Sequence, residues 1–216
     1  MVDHGSVAGA RSEQTVQTRQ RLLRAAEELF AEHGIAGVSN RQVSEAAGQG
    51  NNFAVGYHFG SKLDLVRALL TQHQEAIDVI RSRMVDQLGY IAEFRHWVNC
   101  LVRPQFEYID RLGSDSYFAR FCAQASVEPT TLQLVYDTAA ASRPMLTTLD
   151  GMYRTLPTLP AAAIEVRNTM TRHAIVHTLA DFEGALAAEA VGQTDWSSYS
   201  DGVTDALVGL WLAPAT

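Results

Sequence analysis

Hydrogen-bonding and basic side chains are concentrated between Ser39 and Lys62, in the segment SNRQVSEAAGQGNNFAVGYHFGSK. Guanidinium, ammonium, hydroxyl and imidazole groups are donors that proteins direct at phosphate oxygens. The residues of this segment that carry them are Ser39, Arg41, Tyr57, His58 and Lys62. Asn51 and Asn52 carry carboxamides, which can pair bidentately with adenine, and Gly56 would let a helix approach base edges closely. The segment therefore predicts contacts with double-stranded DNA.

Helix-boundary signals in the same segment say how these side chains are positioned. Ser39 is a good N-cap, and Gln42 follows it at the spacing of a capping box. Gly48 stands where a left-handed residue ends a helix, and Ser61 can cap the next one. These signals predict a short helix, a turn, a second short helix and the start of a longer one. That order is typical of a helix-turn-helix, whose second helix enters the major groove.

The flanking sequence extends this pattern into a family resemblance. An amphipathic helix is predicted over residues 15–33, and the motif YHFGSK is followed by a leucine-rich helix. Together these features resemble the TetR family of bacterial transcriptional regulators over roughly residues 17 to 70. The resemblance implies that Tyr57 and His58 contact the DNA backbone. The sequence departs from the family pattern at Gly56, where many members carry an aromatic residue, and has about one extra residue between Gly48 and Tyr57.

The composition is that of a protein with an ordinary hydrophobic core. The 216 residues are 47% hydrophobic, and the two cysteines, Cys100 and Cys122, are expected as buried thiols. No apolar run approaches the ~18 residues of a membrane span, and the N-terminus lacks the apolar region of a secretory signal. We therefore expect a cytoplasmic protein. Its predicted organisation is a disordered tail over residues 1–15, a DNA-binding domain over 16–60 and a helical domain over 61–216.

The net charge of −7 would argue against a nucleic-acid partner if it were spread evenly. It is not, because residues 1–83 hold nine basic and nine acidic residues, whereas residues 84–216 hold eight arginines and fifteen acidic residues. The acidity therefore belongs to the C-terminal part. A neutral N-terminal part can bind DNA if its basic residues face one way.

The remainder of the chain predicts helices only, so the fold class is all-α: an N-terminal three-helix helix-turn-helix domain followed by a larger helical domain for effector binding and dimerisation. Aromatic and methionine residues of this larger domain could line a ligand pocket between helices. The candidates are Trp97, Phe106, Phe118, Phe121, Tyr136 and Met152. The alternative for each of them is a place in the ordinary core. The family resemblance implies a small and rather apolar effector.

The two last helices are candidates for a homodimer interface, since the family commonly pairs these helices with their copies. Small residues allow close helix packing, and tryptophan is a frequent interface anchor. The proposed interface residues are His173, His177, Val203, Leu207, Leu210 and Trp211. The alternative is that these helices close the core of the protomer. His173, His177 and Asp181 could also place three metal ligands on one helix face, but no nearby cysteine supports a site, and neither metal nor cofactor is predicted.

These observations lead to a ligand-responsive repressor that binds a palindromic operator as a dimer and is released by a small-molecule effector. Two alternatives remain open at the level of sequence. One is a helical ligand-binding protein or enzyme with a vestigial helix-turn-helix, although no catalytic motif was found and no enzyme is predicted. The other is a transcriptional activator with the same DNA-binding head.

Overall fold

The structure, a computed structural model, describes residues 4–89, 92–189 and 196–214, with side chains from residue 13 onward. These residues form helices and no strand, which confirms the all-α prediction. The helices of the described residues are α1 (His4–His33), α2 (Asn40–Ala46), α3 (Ala54–Phe59), α4 (Lys62–Asp86), α5 (Phe94–Leu112), α6 (Phe118–Ala125), α7 (Pro129–Ala141), α8 (Arg143–Arg154), α9 (Ala161–Ala187) and α10 (Trp196–Leu212). None of the helices in these ranges combines the length and the apolar character that a bilayer span requires.

The chain divides into two compact units, Met1–Leu69 and Leu70–Thr216. We call them the head and the second unit. The sequence placed the boundary between residues 60 and 61, whereas the contacts place it inside α4, which contributes residues to both units. The tail predicted as disordered over residues 1–15 also differs, because residues 4–15 belong to α1; residues 1–3 lie outside the described part of the chain.

Local capping explains where the helices of the head begin and end. Ser39 Oγ accepts a hydrogen bond from the Gln42 backbone N–H at 3.2 Å, and Gln42 Oε1 accepts from the Ser39 N–H at 2.8 Å. This reciprocal pair is the predicted capping box of α2. Gly48 has φ of 67°, the left-handed conformation expected of the residue that ends the helix. Ser61 Oγ accepts from the Asp64 N–H at 3.1 Å, so it caps α4.

Two prolines of the second unit act differently from one another. Pro104 lies inside α5, which runs from Phe94 to Leu112. A proline inside a helix leaves the carbonyl four residues earlier without its donor. Here that carbonyl is on Cys100, and it accepts instead from Arg81 Nε at 3.3 Å. Pro144 does accompany a break, because Ser142 ends α7 and caps α8 by accepting from the Met145 N–H at 3.0 Å.

Burial of Arg81 and Cys100 together shifts both of their ionisation equilibria. Desolvation lowers the pKa of the Arg81 guanidinium, and the nearby Asp78 carboxylate, at 2.6 Å, opposes that shift. Burial also raises the pKa of the Cys100 thiol to about 11. Cys100 is therefore an unreactive buried thiol, as the sequence predicted.

Buried polar side chains hold α9 and α10 in the second unit. The Glu183 carboxylate on α9 accepts from Ser116 Oγ at 2.6 Å, from the backbone N–H groups of Ala119 and Arg120 at 3.0 Å, and from Arg120 Nε at 3.2 Å. It thereby caps the first turn of α6. Arg167 donates to the carbonyls of Trp211 at 2.6 Å and Ala213 at 2.8 Å, which are carbonyls at the end of α10.

Candidate nucleic-acid interface and ligand cavity

The exposed face of α3 is the candidate nucleic-acid interface of the head. Ala54 and Val55 are buried and anchor the helix. Tyr57, on the opposite face, is 82% exposed, and Phe53, the residue before the helix, is 80% exposed. A Cβ built at Gly56 would meet no atom within 4 Å, so this position too is open. The face therefore presents two aromatic rings and a stretch of bare backbone.

Several residues predicted to contact DNA also form hydrogen bonds with backbone groups of the head. Asn51 Oδ1 accepts from the Phe53 N–H at 2.9 Å, and the Asn51 carbonyl accepts from the Ala54 N–H at 3.0 Å, which together start α3. The Asn52 side chain is exposed, and the backbone carbonyl of Asn52 accepts a hydrogen bond from Ser44 Oγ at 3.4 Å. Ser39 is thus the N-cap of α2, and Asn51 forms a turn just before α3. The amide group of Asn51 and the side chain of Asn52 still face solvent.

Lys62 has a structural role that the sequence did not reveal. Its ammonium donates to the carbonyls of Ile35 at 2.8 Å, Val38 at 3.0 Å and Ala36 at 3.5 Å. These carbonyls belong to the loop between α1 and α2. The side chain thus reaches back to this loop and clamps the head, while the Lys62–phosphate contact stays a prediction.

Two arginines of the head differ in their surroundings: Arg41 is exposed to solvent, whereas Arg19 contacts the end of α3. Arg41 is exposed and pairs with Glu45 at 2.7 Å, and this hydrogen bond, together with the charge of Glu45, raises the pKa of the arginine. An exposed pair of this kind is worth little, so a phosphate can displace Glu45 at small cost. Arg19 of α1 donates to the His58 carbonyl at 2.9 Å and lies 4.1 Å from the centre of the Phe59 ring. Arg19 therefore fixes the end of α3, while the half-buried His58 ring meets Tyr57 edge-on.

The second unit contains a cavity of about 630 Å³. Of the six predicted pocket residues, Phe118 and Tyr136 line it. Phe118 is buried, whereas Tyr136 is 48% exposed and lies towards solvent. α4 contributes Leu70, His73, Gln74, Ile77 and Arg81 to the wall, and α9 contributes another stretch from Glu165 to Val176.

The other four predicted pocket residues lie outside the cavity lining and belong to the core. Phe106, Phe121 and Met152 are at most 1% exposed. Trp97 packs on α8 at Gly151, where an added Cβ would come within 2.4 Å of the indole ring. Helical periodicity marks all of these residues as inward-facing but does not tell a packed position from one beside a void.

The predicted dimer-interface residues also separate into two groups. Trp211 is fully buried within the protomer and donates from Nε1 to Thr171 Oγ1 at 2.8 Å; Val203 and Leu207 are also buried, and Leu210 packs against the same core. Those four positions close the core, as the sequence alternative had it. His173 and His177 are exposed, with rings stacked at 5.4 Å. No cluster of three or more metal-ligating side chains occurs among the described residues.

Three side chains that bear on these sites escaped sequence reasoning. Phe53 reads as an ordinary apolar residue, and only its 80% exposure singles it out. Arg19 falls on the polar face of α1, where an arginine needs no explanation. Arg172 lines the cavity, but its neighbours in sequence, Thr171 and His173, carry no signal of an internal space.

The short helices α2 and α3, with the turn between them and the exposed face of α3, form a helix-turn-helix in the head. Residues 22–69 match the model of the family described as bacterial regulatory proteins, tetR family. The HTH-type transcriptional repressor AcnR of Corynebacterium efficiens is 40% identical over 60 residues, which are 28% of this chain and 31% of that repressor. The head of this chain, over residues 22–69, thus matches the TetR family of regulatory proteins, as the sequence resemblance indicated. The match spans about a third of the length of that curated relative.

Solved structures resemble this chain along most of its length. GusR of Salmonella enterica superposes with a TM-score of 0.57 at 17% identity, covering 91% of this chain and 96% of that one. LfrR of Mycobacterium smegmatis, solved in complex with proflavine, superposes with a TM-score of 0.53 at 17% identity, covering 93% and 99%. At such identities the likeness shows the shared fold, including the larger helical unit.

Proposed function

We propose that this chain is a ligand-responsive transcriptional repressor that acts in the cytoplasm. It binds a palindromic operator as a homodimer and is released when a small effector occupies the cavity of the second unit. The observation that carries the proposal is the solvent-facing surface of α3, in a head where α2 begins with a capping box and Lys62 clamps the loop between α1 and α2. A helix that exposes aromatic, amide and glycine positions can enter a major groove and contact base edges.

The proposed route from effector to DNA runs along α4. Its first residue, Lys62, clamps the head, and its later residues Leu70 to Arg81 line the cavity. An effector that contacts this wall better in one position of α4 than in another shifts the population toward that position. The spacing of the two recognition helices then no longer fits the operator. LfrR, whose structure holds proflavine, supports a small-molecule effector for this fold.

The proposed dimer surface is the exposed side of α9 and α10. Val166, Met170, His173 and His177 repeat at spacings of four, three and four residues and are exposed. On α10, Gly202, Ala206 and Gly209 are exposed, and a Cβ at either glycine would meet no atom within 4 Å. Such small positions allow two helices to approach closely. This face replaces Trp211, Val203 and Leu207 as the predicted contact.

Footprinting of purified protein on the DNA upstream of its own gene tests the proposal. We expect a protected site with two-fold symmetric halves spaced by about one helical turn or a multiple of it, ~34–36 Å. A reporter driven by the same DNA should be repressed, and an increase would favour the activator alternative. Absence of sequence-specific protection would contradict the function.

The proposed dimer surface has its own test. Met170→Arg should yield monomers by light scattering, with Val79→Arg, at an exposed position on α4, as the matched control.

A further inference from the structure

The accessible surface of the cavity wall is mostly apolar, and polar and charged side chains also line it. Its apolar side chains include Leu70, Ile77, Leu101, Phe118, Ile175 and Val176. A cavity of about 630 Å³ lies within the range of ligand pockets, ~300–1,000 Å³, in which few polar groups fix the orientation of the ligand. The chemistry of those polar groups therefore indicates the class of ligand.

Two arginines line the cavity, and they differ in how far their hydrogen-bonding groups are satisfied. Arg81 pairs with Asp78 at 2.6 Å and donates to the Cys100 carbonyl, so its charge is compensated. Arg172 has no ion pair with any described residue. Its Nη2 lies 3.2 Å from His173 Nε2, while Nε and Nη1 are shielded from water and have no hydrogen-bond partner.

This state of Arg172 is unusual for a buried donor. More than about 90% of buried polar groups have a partner, and a charged donor without one is more costly than a neutral donor. His173 does not supply a compensating negative charge, because an imidazole is either neutral or positive; desolvation and the charges of Arg172 and His177 lower its pKa. Glu165 is on the same helix and also lines the cavity, but it precedes Arg172 by two turns and is exposed.

We propose that the cavity binds an amphipathic carboxylate. Its apolar body occupies the wall between α4 and α9, and its carboxylate accepts hydrogen bonds from the Arg172 guanidinium after a small adjustment of that side chain. The guanidinium fork matches a carboxylate in shape and charge. This inference deepens the proposed function, on which it rests, by naming the chemical class of the effector.

The test compares octanoate with octan-1-ol, a neutral molecule with the same chain, by calorimetric titration of the full chain. A hydrogen bond to a charged group contributes about 1.5–3 kcal/mol, which corresponds to roughly 10- to 100-fold tighter binding of octanoate. Arg172→Leu should remove this preference while octan-1-ol still binds. Arg154→Leu is the matched control, because Arg154 is exposed and lies outside the cavity lining. It should keep the preference.

Each result decides the proposal. Equal affinities in the wild-type protein, a preference that survives in Arg172→Leu, or no binding of either molecule would overturn the carboxylate assignment. If Arg172→Leu does not fold, Arg172→Gln replaces it, and the wild-type pair of titrations decides by itself. A second readout is alkylation of Cys122, which lines the same cavity and should be protected by octanoate. Binding to upstream DNA is measured in parallel. If the protein binds this DNA but not octanoate, the carboxylate assignment is refuted while the proposed regulatory function is retained.

Discussion

The head and the second unit use polar side chains in opposite ways. In the head the charged and aromatic groups of the candidate interface, such as Arg41 and Tyr57, are exposed to solvent on short helices. In the second unit Arg81, Arg167 and Glu183 are buried and bonded to neighbouring groups. An exposed group is available to a large partner that approaches from outside. A buried and satisfied group belongs to the scaffold, whereas shielded donors without a partner, such as Nε and Nη1 of Arg172, are the basis of the proposed ligand contact.

Glu183→Ala tests the scaffold side of this comparison and should have the largest effect. The variant leaves Ser116 Oγ and the N–H groups at the start of α6 without their acceptor. Removing one partner of a buried charged network costs about 3–5 kcal/mol. Urea denaturation measures the loss. Asp150→Asn, which breaks the exposed pair with Arg154, is the control and should cost less than about 1 kcal/mol; similar losses for both variants would refute the scaffold role.

Gly151→Ala tests whether Trp97 belongs to the core or to a pocket. The added methyl group would come within 2.4 Å of the indole ring, and overpacking of this kind costs about 1–3 kcal/mol. Gly184→Ala is the matched control, because nothing lies within 4 Å of the new Cβ, and alanine is the better helix former by about 1 kcal/mol. Thermal unfolding should therefore shift in opposite directions. A stable Gly151→Ala protein would mean that Trp97 is free to move.

Lys62→Met asks whether the one lysine of the chain serves the head or the phosphate backbone. Losing the contacts to the Ile35 and Val38 carbonyls should destabilise the head by about 1.5–3 kcal/mol, the usual range for hydrogen bonds to a charged group. The salt dependence of DNA binding should stay unchanged. A phosphate contact would instead reduce the slope of log K against log salt by about 1. That smaller slope, with unchanged stability, would contradict the clamp.

Phe53→Ala should have the smallest effect on folding and a selective one on DNA. An exposed ring beside the recognition helix can contact the methyl group of thymine, and a buried CH₂-sized group is worth about 0.8 kcal/mol. Replacing thymine by uracil at the contacted position should weaken wild-type binding about fourfold and leave Phe53→Ala unaffected. Val16→Ala, another exposed apolar position of the head, serves as the control. Equal sensitivity of both variants to uracil would remove Phe53 from the interface.

Sequence reasoning succeeded where the signal was local. The capping box of Ser39 and Gln42, the left-handed Gly48 and the Ser61 cap depend on residues three or four positions apart, and each is present. It did not separate core from cavity, because Phe106 and Phe118 have the same periodicity and differ only in what the opposing helices leave empty. The Lys62 clamp bridges 24 to 27 residues, and such a contact follows from tertiary packing alone.

The same limit explains the dimer-interface prediction. Small residues and a tryptophan on the last helix indicate close packing but not the identity of the partner. Trp211 faces Thr171 of the same chain, and the outward face of that helix is the one with Gly202 and Gly209. Sequence could predict that α10 packs closely. The structure was needed to tell which face of α10 packs inside the protomer.

The central claim is that the head binds DNA through its exposed face, and the most direct test is the affinity for labelled upstream DNA at several salt concentrations. We expect log K to fall linearly and steeply with log salt, with a slope of about −0.9 per phosphate contacted. Tyr57→Ala and Arg41→Ala should each weaken binding without changing thermal stability, since both side chains are exposed. A slope near zero, or unchanged affinity in the double variant, would contradict the claim.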